Sequence, residues 1–128
     1  MKLLLDTHTF IWWASDPEKL PQKVLSLCQD SENTLLFSVA SAWEMQIKMQ
    51  LGKLKFHLSL RDVIESQQQS NNLQVLPIEL GHVLELQKLP AHHKDPFDRL
   101  LIAQANWEDA FLVSQDKAFS EYPVKVLW

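Results

Sequence analysis

Glycine is almost missing from this sequence, with two among 128 residues. No glycine-rich phosphate loop can be built from so few, which removes nucleotide hydrolysis of the phosphate-loop type. Cysteine occurs once, as Cys28, so an internal disulfide and a thiolate zinc cluster are both excluded. Cys28 falls among Val24, Leu25 and Leu27, where a buried, inert thiol is expected, as suits a reducing cytosol. Basic residues are in deficit, 12 Lys and Arg against 16 Asp and Glu, for a net charge of −4. That balance argues against binding nucleic acid mainly through a broad basic field. Long hydrophobic runs are absent too. The start, MKLLLD, reaches an acid after three leucines, so neither a secretory signal nor a membrane span is expected there, and the protein is predicted to be cytoplasmic with no membrane partner. There is no internal repeat, no Gly/Ser linker and no low-complexity tract beyond Gln67, Gln68 and Gln69, so residues 1–128 read as a single domain.

What is present is a foldable chain, 46% of it hydrophobic. Short apolar runs at Lys2 to Leu5, Thr34 to Val39, Leu73 to Ile78, Ala110 to Ser114 and Val124 to Leu127 are five candidate strands. Between them lie stretches of helical spacing: Leu20, Val24, Leu27 and Cys28; then Ala40, Trp43, Ile47 and Leu51; then Leu60, Val63 and Ile64. Alternating strand and helix predicts an α/β fold, a three-layer α/β/α sandwich around a mostly parallel five-stranded sheet. Pro17, Pro21 and Pro96 read as first-turn helix residues, with Asp16 and Asp95 as N-caps before two of them, and Gly52 closes the helix that carries Glu44.

In open parallel sheets ligands bind beyond the carboxyl ends of the strands, so acids there carry most interest. Asp6 ends the first strand in LLLDTHTF, where a carboxylate after three apolar residues needs compensation, by a metal or by capping a helix that begins near Thr9. Asp116 repeats the pattern in FLVSQDKAF, with the Ser114 hydroxyl nearby; the alternative is an ordinary turn Asp. Glu44 sits at the edge of a helical stripe marked by Trp43 and Ile47, and its bland reading is an i,i+4 ion pair with Lys48. Asp95 and Asp98 in HHKDPFDRLLIAQA fit a helix cap and a first-turn acid as well as they fit chemistry. Several carboxylates at one crevice repel one another and stay ionised together only around a cation. Mg²⁺, or Mn²⁺ in its place, prefers oxygen ligands and bridges to phosphate. Zinc fits less well, because His92 and His93 are adjacent rather than spaced on a helix face. Ser38, Ser41 and Ser114 lack a nucleophile-elbow context.

Taken in order, LLLDTHTF, SVASAWE, DPFDRLLIAQA and LVSQDKAF resemble the motif series of the PIN-domain family, in particular its VapC-like toxin ribonucleases of type II toxin–antitoxin pairs. The resemblance covers essentially the whole chain, and DPFDRLLIAQA is its most specific part. It implies a metal-dependent endoribonuclease whose acids Asp6, Glu44, Asp98 and Asp116 hold one or two Mg²⁺ for attack of water on phosphorus. It further implies that Thr7 supports the first acid, that Asp95 assists or merely caps, and that Arg99 meets phosphate. Expected partners are RNA, a cognate antitoxin and a second copy of the chain, in a complex that binds promoter DNA. Trp12, Trp13 and Trp43 read either as a groove for an antitoxin segment or as core packing. Lys48, Lys53, Lys55, Lys94, Arg99 and Lys117 are candidates for an RNA path, with solvated charge as the default. The competing reading is a non-catalytic module that keeps the fold and binds protein or RNA. A phosphotransfer domain using Asp6 as nucleophile would need a second acid beside it, and LLLDTHTF supplies Thr and His instead.

Overall fold

Leu3, Leu4 and Leu5 are all fully buried, which a strand achieves only when both of its faces are covered. The computed structural model describes residues 1–91 and 95–128 and shows how that happens. His92, His93 and Lys94, and the readings made of them, lie outside the described residues. Five strands, β1 (Lys2–Leu5), β2 (Thr34–Ser38), β3 (Gln74–Leu76), β4 (Phe111–Val113) and β5 (Val126–Leu127), form one sheet in the order β3-β2-β1-β4-β5. Every pairing is parallel, with Leu3 opposite Leu35 and Phe111, and Leu5 opposite Phe37 and Val113. The expectation of a mostly parallel five-stranded sheet is met, and within this sheet no strand runs the other way.

Strand side chains alternate between faces, and the alternation sorts the core into two layers. Leu3, Leu5, Leu35, Phe37 and Val113 pack against α1 (Thr7–Ser15), α2 (Gln22–Gln29), Met45 of α3 (Val39–Gln50) and α4 (Leu60–Asn71). Leu4, Leu36, Leu76 and Leu112 pack on the opposite side against α6 (Pro96–Glu108), together with Leu89, Phe119 and Tyr122. Helices therefore cover both faces, as a three-layer sandwich requires. Phe10 of α1 stacks on Phe37 of β2 with ring centroids 4.0 Å apart, pinning α1 across the sheet.

Several boundaries differ from those expected. The third strand stops at Leu76 because Pro77 cannot donate to the ladder. The second stops at Ser38, whose hydroxyl accepts from the Ala40 amide and caps α3. Helix α1 begins at Thr7 rather than near Thr9, directly after its cap, Asp6. Pro96 is the first residue of α6, with Asp95 accepting from the amides of Phe97 and Asp98. Pro21, by contrast, stands one place before α2, and Asp16 precedes a single 3₁₀ turn without capping it through its side chain. Gly52, at φ +73°, lies two residues past α3 where the chain turns through the left-handed region. Helix α5 (Leu80–Glu85) gives no inward apolar stripe in the sequence, since Leu80, Val83 and Leu84 are exposed. The buried His82 ring holds it instead, accepting from the Glu79 amide through Nδ1 and meeting Glu108 of α6 through Nε2.

The helix carrying Glu44 corrects the sequence reading most. Helical spacing puts Trp43 on the core face of α3, yet it is 59% exposed and meets Phe97 of α6 edge-on. Ala40, Ser41 and Met45 are the buried positions. That stripe places Glu44 and Lys48 on the inward side, because residues three and four apart share a helix face.

Candidate functional site

The chain leaves β1 for β2 on one side of the sheet and later returns to β4 on the other, so the order reverses between β1 and β4. Parallel sheets open a crevice beyond the carboxyl ends of strands at such a reversal. Asp6 follows β1 there, and Ser114 and Asp116 follow β4. A cleft of about 540 Å³ lies at this end, lined by Asp6, Glu44, Asp95, Asp98 and Asp116, with Thr7, His8, Trp12, Lys48 and Gln115 completing its walls.

Asp6 is only 7% exposed, and each of its oxygens has a donor. Oδ1 accepts from the Thr9 amide at 2.8 Å, which caps α1, and Oδ2 accepts from the Ser114 hydroxyl at 2.6 Å. Asp6 therefore caps α1 and also lines the cleft. Ser114, itself buried, also accepts from the Asp116 amide at 3.0 Å, so a single hydroxyl ties the end of β1 to the turn after β4. Asp116 remains exposed, with Oδ1 taking the Ala118 amide.

Glu44 reaches the cleft from α3. Its Oε1 accepts from the buried Thr7 hydroxyl at 2.6 Å and its Oε2 pairs with Lys48 at 3.1 Å. Ser41 lies 3.0 Å from the same Thr7 oxygen, completing a small network between α1 and α3. The pairing with Lys48 is therefore real, and it lies inside the cleft wall rather than on a solvated face. Asp98 stands at the third position of α6 and Asp95 at its cap, so both project at the positive end of the helix dipole. Arg99 is not among the residues that line the cleft; its Nη1 donates to the Pro90 carbonyl at 2.8 Å.

All four acids singled out from the sequence, and Asp95 with them, thus face one cleft. Among the described residues, no three His, Cys, Asp or Glu side chains close into a preformed ligand cage. The donor set still fits Mg²⁺ or Mn²⁺: such ions bind through one or two carboxylates, keep much of their water, and favour oxygen. Sequence reasoning missed Ser41, His8 and Gln115. Ser41 was legible, three residues before Glu44 on the same helix face; for His8 and Gln115 the sequence gives only adjacency to an acid. Among the described residues no helix is long and apolar enough to cross a membrane.

Several solved structures share this fold over nearly their whole length. VapBC2 from Rickettsia felis, bound to a DNA fragment from its promoter, is 18% identical, with 99% of this chain and 98% of that chain covered at a TM-score of 0.76. VapBC-1 from nontypeable Haemophilus influenzae is 17% identical, covering 99% and 97%, with a TM-score of 0.68. DNA-bound VapBC from Salmonella typhimurium is 16% identical, again covering 99% and 97%, with a TM-score of 0.67. No curated protein matches the sequence. The PIN-domain model matches residues 3–125, almost the full chain. The chain belongs to the PIN-domain family.

Proposed function

We propose that this protein is a metal-dependent endoribonuclease, the toxin of a type II toxin–antitoxin pair. The observation that carries the reading is the convergence of Asp6, Glu44, Asp95, Asp98 and Asp116 on one cleft at the topological switch of a PIN fold. The likeness to VapBC assemblies supports the toxin assignment, an antitoxin partner and promoter DNA as a target of the complex.

Asp6, Asp98 and Asp116, with Glu44, would hold Mg²⁺ or Mn²⁺. When bound, the ion supplies positive charge for phosphate and acidifies water for attack on phosphorus. The chain's own residues do the positioning. Ser114 orients Asp6 and fixes the Asp116 backbone, while Thr7 and Lys48 hold the two oxygens of Glu44. Water adds to phosphorus, a ribose oxygen leaves, and a cleft carboxylate takes the proton released by the water. Lys48 offers a cation to phosphate within a strongly acidic lining. A net charge of −4 keeps general affinity for RNA low, so binding depends on the ion and the cleft. Exposed apolar faces at Val39 and Trp43 on α3, and at Leu80, Leu84 and Trp107 on α5 and α6, are the kind of surface that a second copy or an antitoxin covers.

The test is cleavage of a mixed pool of structured RNAs by antitoxin-free protein in Mg²⁺, in Mn²⁺ and in EDTA, beside Asp6→Ala and Asp98→Ala. Cutting that requires both the ion and the acids, with both variants folded, supports the reading. Equal inertness of wild type and variants, with no divalent-ion binding by calorimetry, sinks it in favour of a binding module.

A further inference from the structure

Beside the acids, the cleft is lined by two aromatic side chains, His8 and Trp12. They lie one turn apart on α1, four residues from each other, with ring centroids separated by 6.2 Å and planes inclined by 51°. Trp12 also meets Trp128, with centroids 6.0 Å apart and planes tilted by 50°, and the Lys19 ammonium lies over its ring at 6.0 Å from the centroid. Its neighbour Trp13 is buried in the core, whereas Trp12 packs against that core with part of its surface and lines the cleft with the rest. His8 is exposed. An aromatic ring near a cation, in the wall of a cleft that on the ribonuclease reading takes a phosphate diester, is what an unpaired nucleobase stacks upon.

We propose that His8 and Trp12 form a nucleobase-stacking subsite, which holds one unpaired base of single-stranded RNA while the adjoining phosphate lies over the acids. The inference rests on the ribonuclease reading and deepens it by assigning a base-holding role to this wall of the cleft. A base inside a duplex has both faces covered by its neighbours and cannot use this wall, so the subsite selects loops and single strands. An antitoxin side chain against the same rings is the competing use; the RNA reading is favoured because the rings and the acids share one cleft.

The experiment measures anisotropy of a labelled single-stranded hexanucleotide, and of the same ribose-phosphate chain without bases, in Ca²⁺ to hold the complex without turnover. Wild type is expected to bind the base-bearing chain about tenfold more tightly than the abasic one, in line with the gain from stacking one base. Trp12→Leu should bind both as wild type binds the abasic chain, Trp12→Phe should keep most of the preference, and His8→Ala should lose part of it. His8 is exposed, so that variant tests the wall even where Trp12→Leu fails to fold. Under Mg²⁺, the loss should enter KM rather than kcat. A preference that survives in both Trp12→Leu and His8→Ala overturns the subsite and leaves the rings to packing or to a protein partner. Equal binding of the two chains by a wild type that still cuts RNA also overturns it, with the nuclease reading intact. A wild type that binds neither chain and cuts nothing removes both.

Discussion

Replacing Ser114 by Ala deletes one oxygen from the joint between β1 and β4. That oxygen donates to Asp6 Oδ2 at 2.6 Å and accepts from the Asp116 amide at 3.0 Å. A hydrogen bond to a charged group contributes about 1.5–3 kcal/mol, and a neutral one about 1 kcal/mol. The Asp116 amide lies at an exposed turn and recovers most of its loss from water, whereas buried Asp6 keeps one oxygen without its donor. The expected cost is therefore about 2–3 kcal/mol, set by Asp6. For a domain of this length that lowers Tm by about 8–12 °C, leaving the protein folded at room temperature. Urea unfolding of Ser114→Ala, Asp6→Ala and the double variant apportions the effect. Asp6→Ala also removes the α1 cap and relieves repulsion among the acids, so its single value mixes signs; the cycle cancels both contributions. A coupling of about 1.5 kcal/mol or more is expected, because the two groups touch. Additivity within about 0.5 kcal/mol would refute the claim that this hydroxyl holds Asp6 in place.

Other outcomes follow from single contacts. Thr7→Val keeps the shape of the side chain and removes the hydroxyl bound to Glu44 Oε1; RNA cleavage should fall by about 10- to 100-fold in single-turnover assays, as for other groups that orient ligand side chains. Asp95→Ala strips the cap from α6 and should lower unfolding stability by about 1–2 kcal/mol, read by urea denaturation. Arg99→Gln breaks the bond to the Pro90 carbonyl and should lower Tm while leaving KM for RNA unchanged, because Arg99 is outside the cleft. Burial pushes the Cys28 thiol up from 9.0 to about 11. The folded state then holds this proton more tightly than the unfolded state, so the contribution is complete below pH 9 and is lost as pH rises toward 11. Native protein should resist a disulfide reagent at pH 8 and react once unfolded, and wild type should lose stability relative to Cys28→Ala over that alkaline window.

Much of the fold was legible because strands buried on both faces leave short, almost wholly apolar runs, such as LLL at β1 and TLLFS at β2, that need no partner to be recognised. Asp6, Asp95, Asp98 and Asp116 stand out in the sequence because each follows a strand or opens a helix, whereas Glu44, inside α3, joins them through the family resemblance. Other features were set only in three dimensions. Residues 80–85 form a helix because His82 finds Glu79 and Glu108, and Glu108 is 26 residues away in the chain. Trp43 looked like core on helical spacing alone, yet it is exposed because the buried stripe of α3 runs through Ala40, Ser41 and Met45. Arg99 follows an acid of the cleft in sequence, but its guanidinium turns away to Pro90.

The sequence by itself determined the strand–helix alternation and the caps at Asp6 and Asp95, since these depend on local hydrogen bonding and on periodicity within one element, while the set of acids came from the resemblance of its motif series. Only the tertiary structure decided that Ser114 binds Asp6 across 108 residues of chain, that Thr7 binds Glu44 across 37, and that Trp12 rather than Trp13 faces the acids. Those pairings arise where separate elements meet at the β1–β4 reversal, and their geometry depends on strand order and helix rotation, which no local pattern of residues encodes.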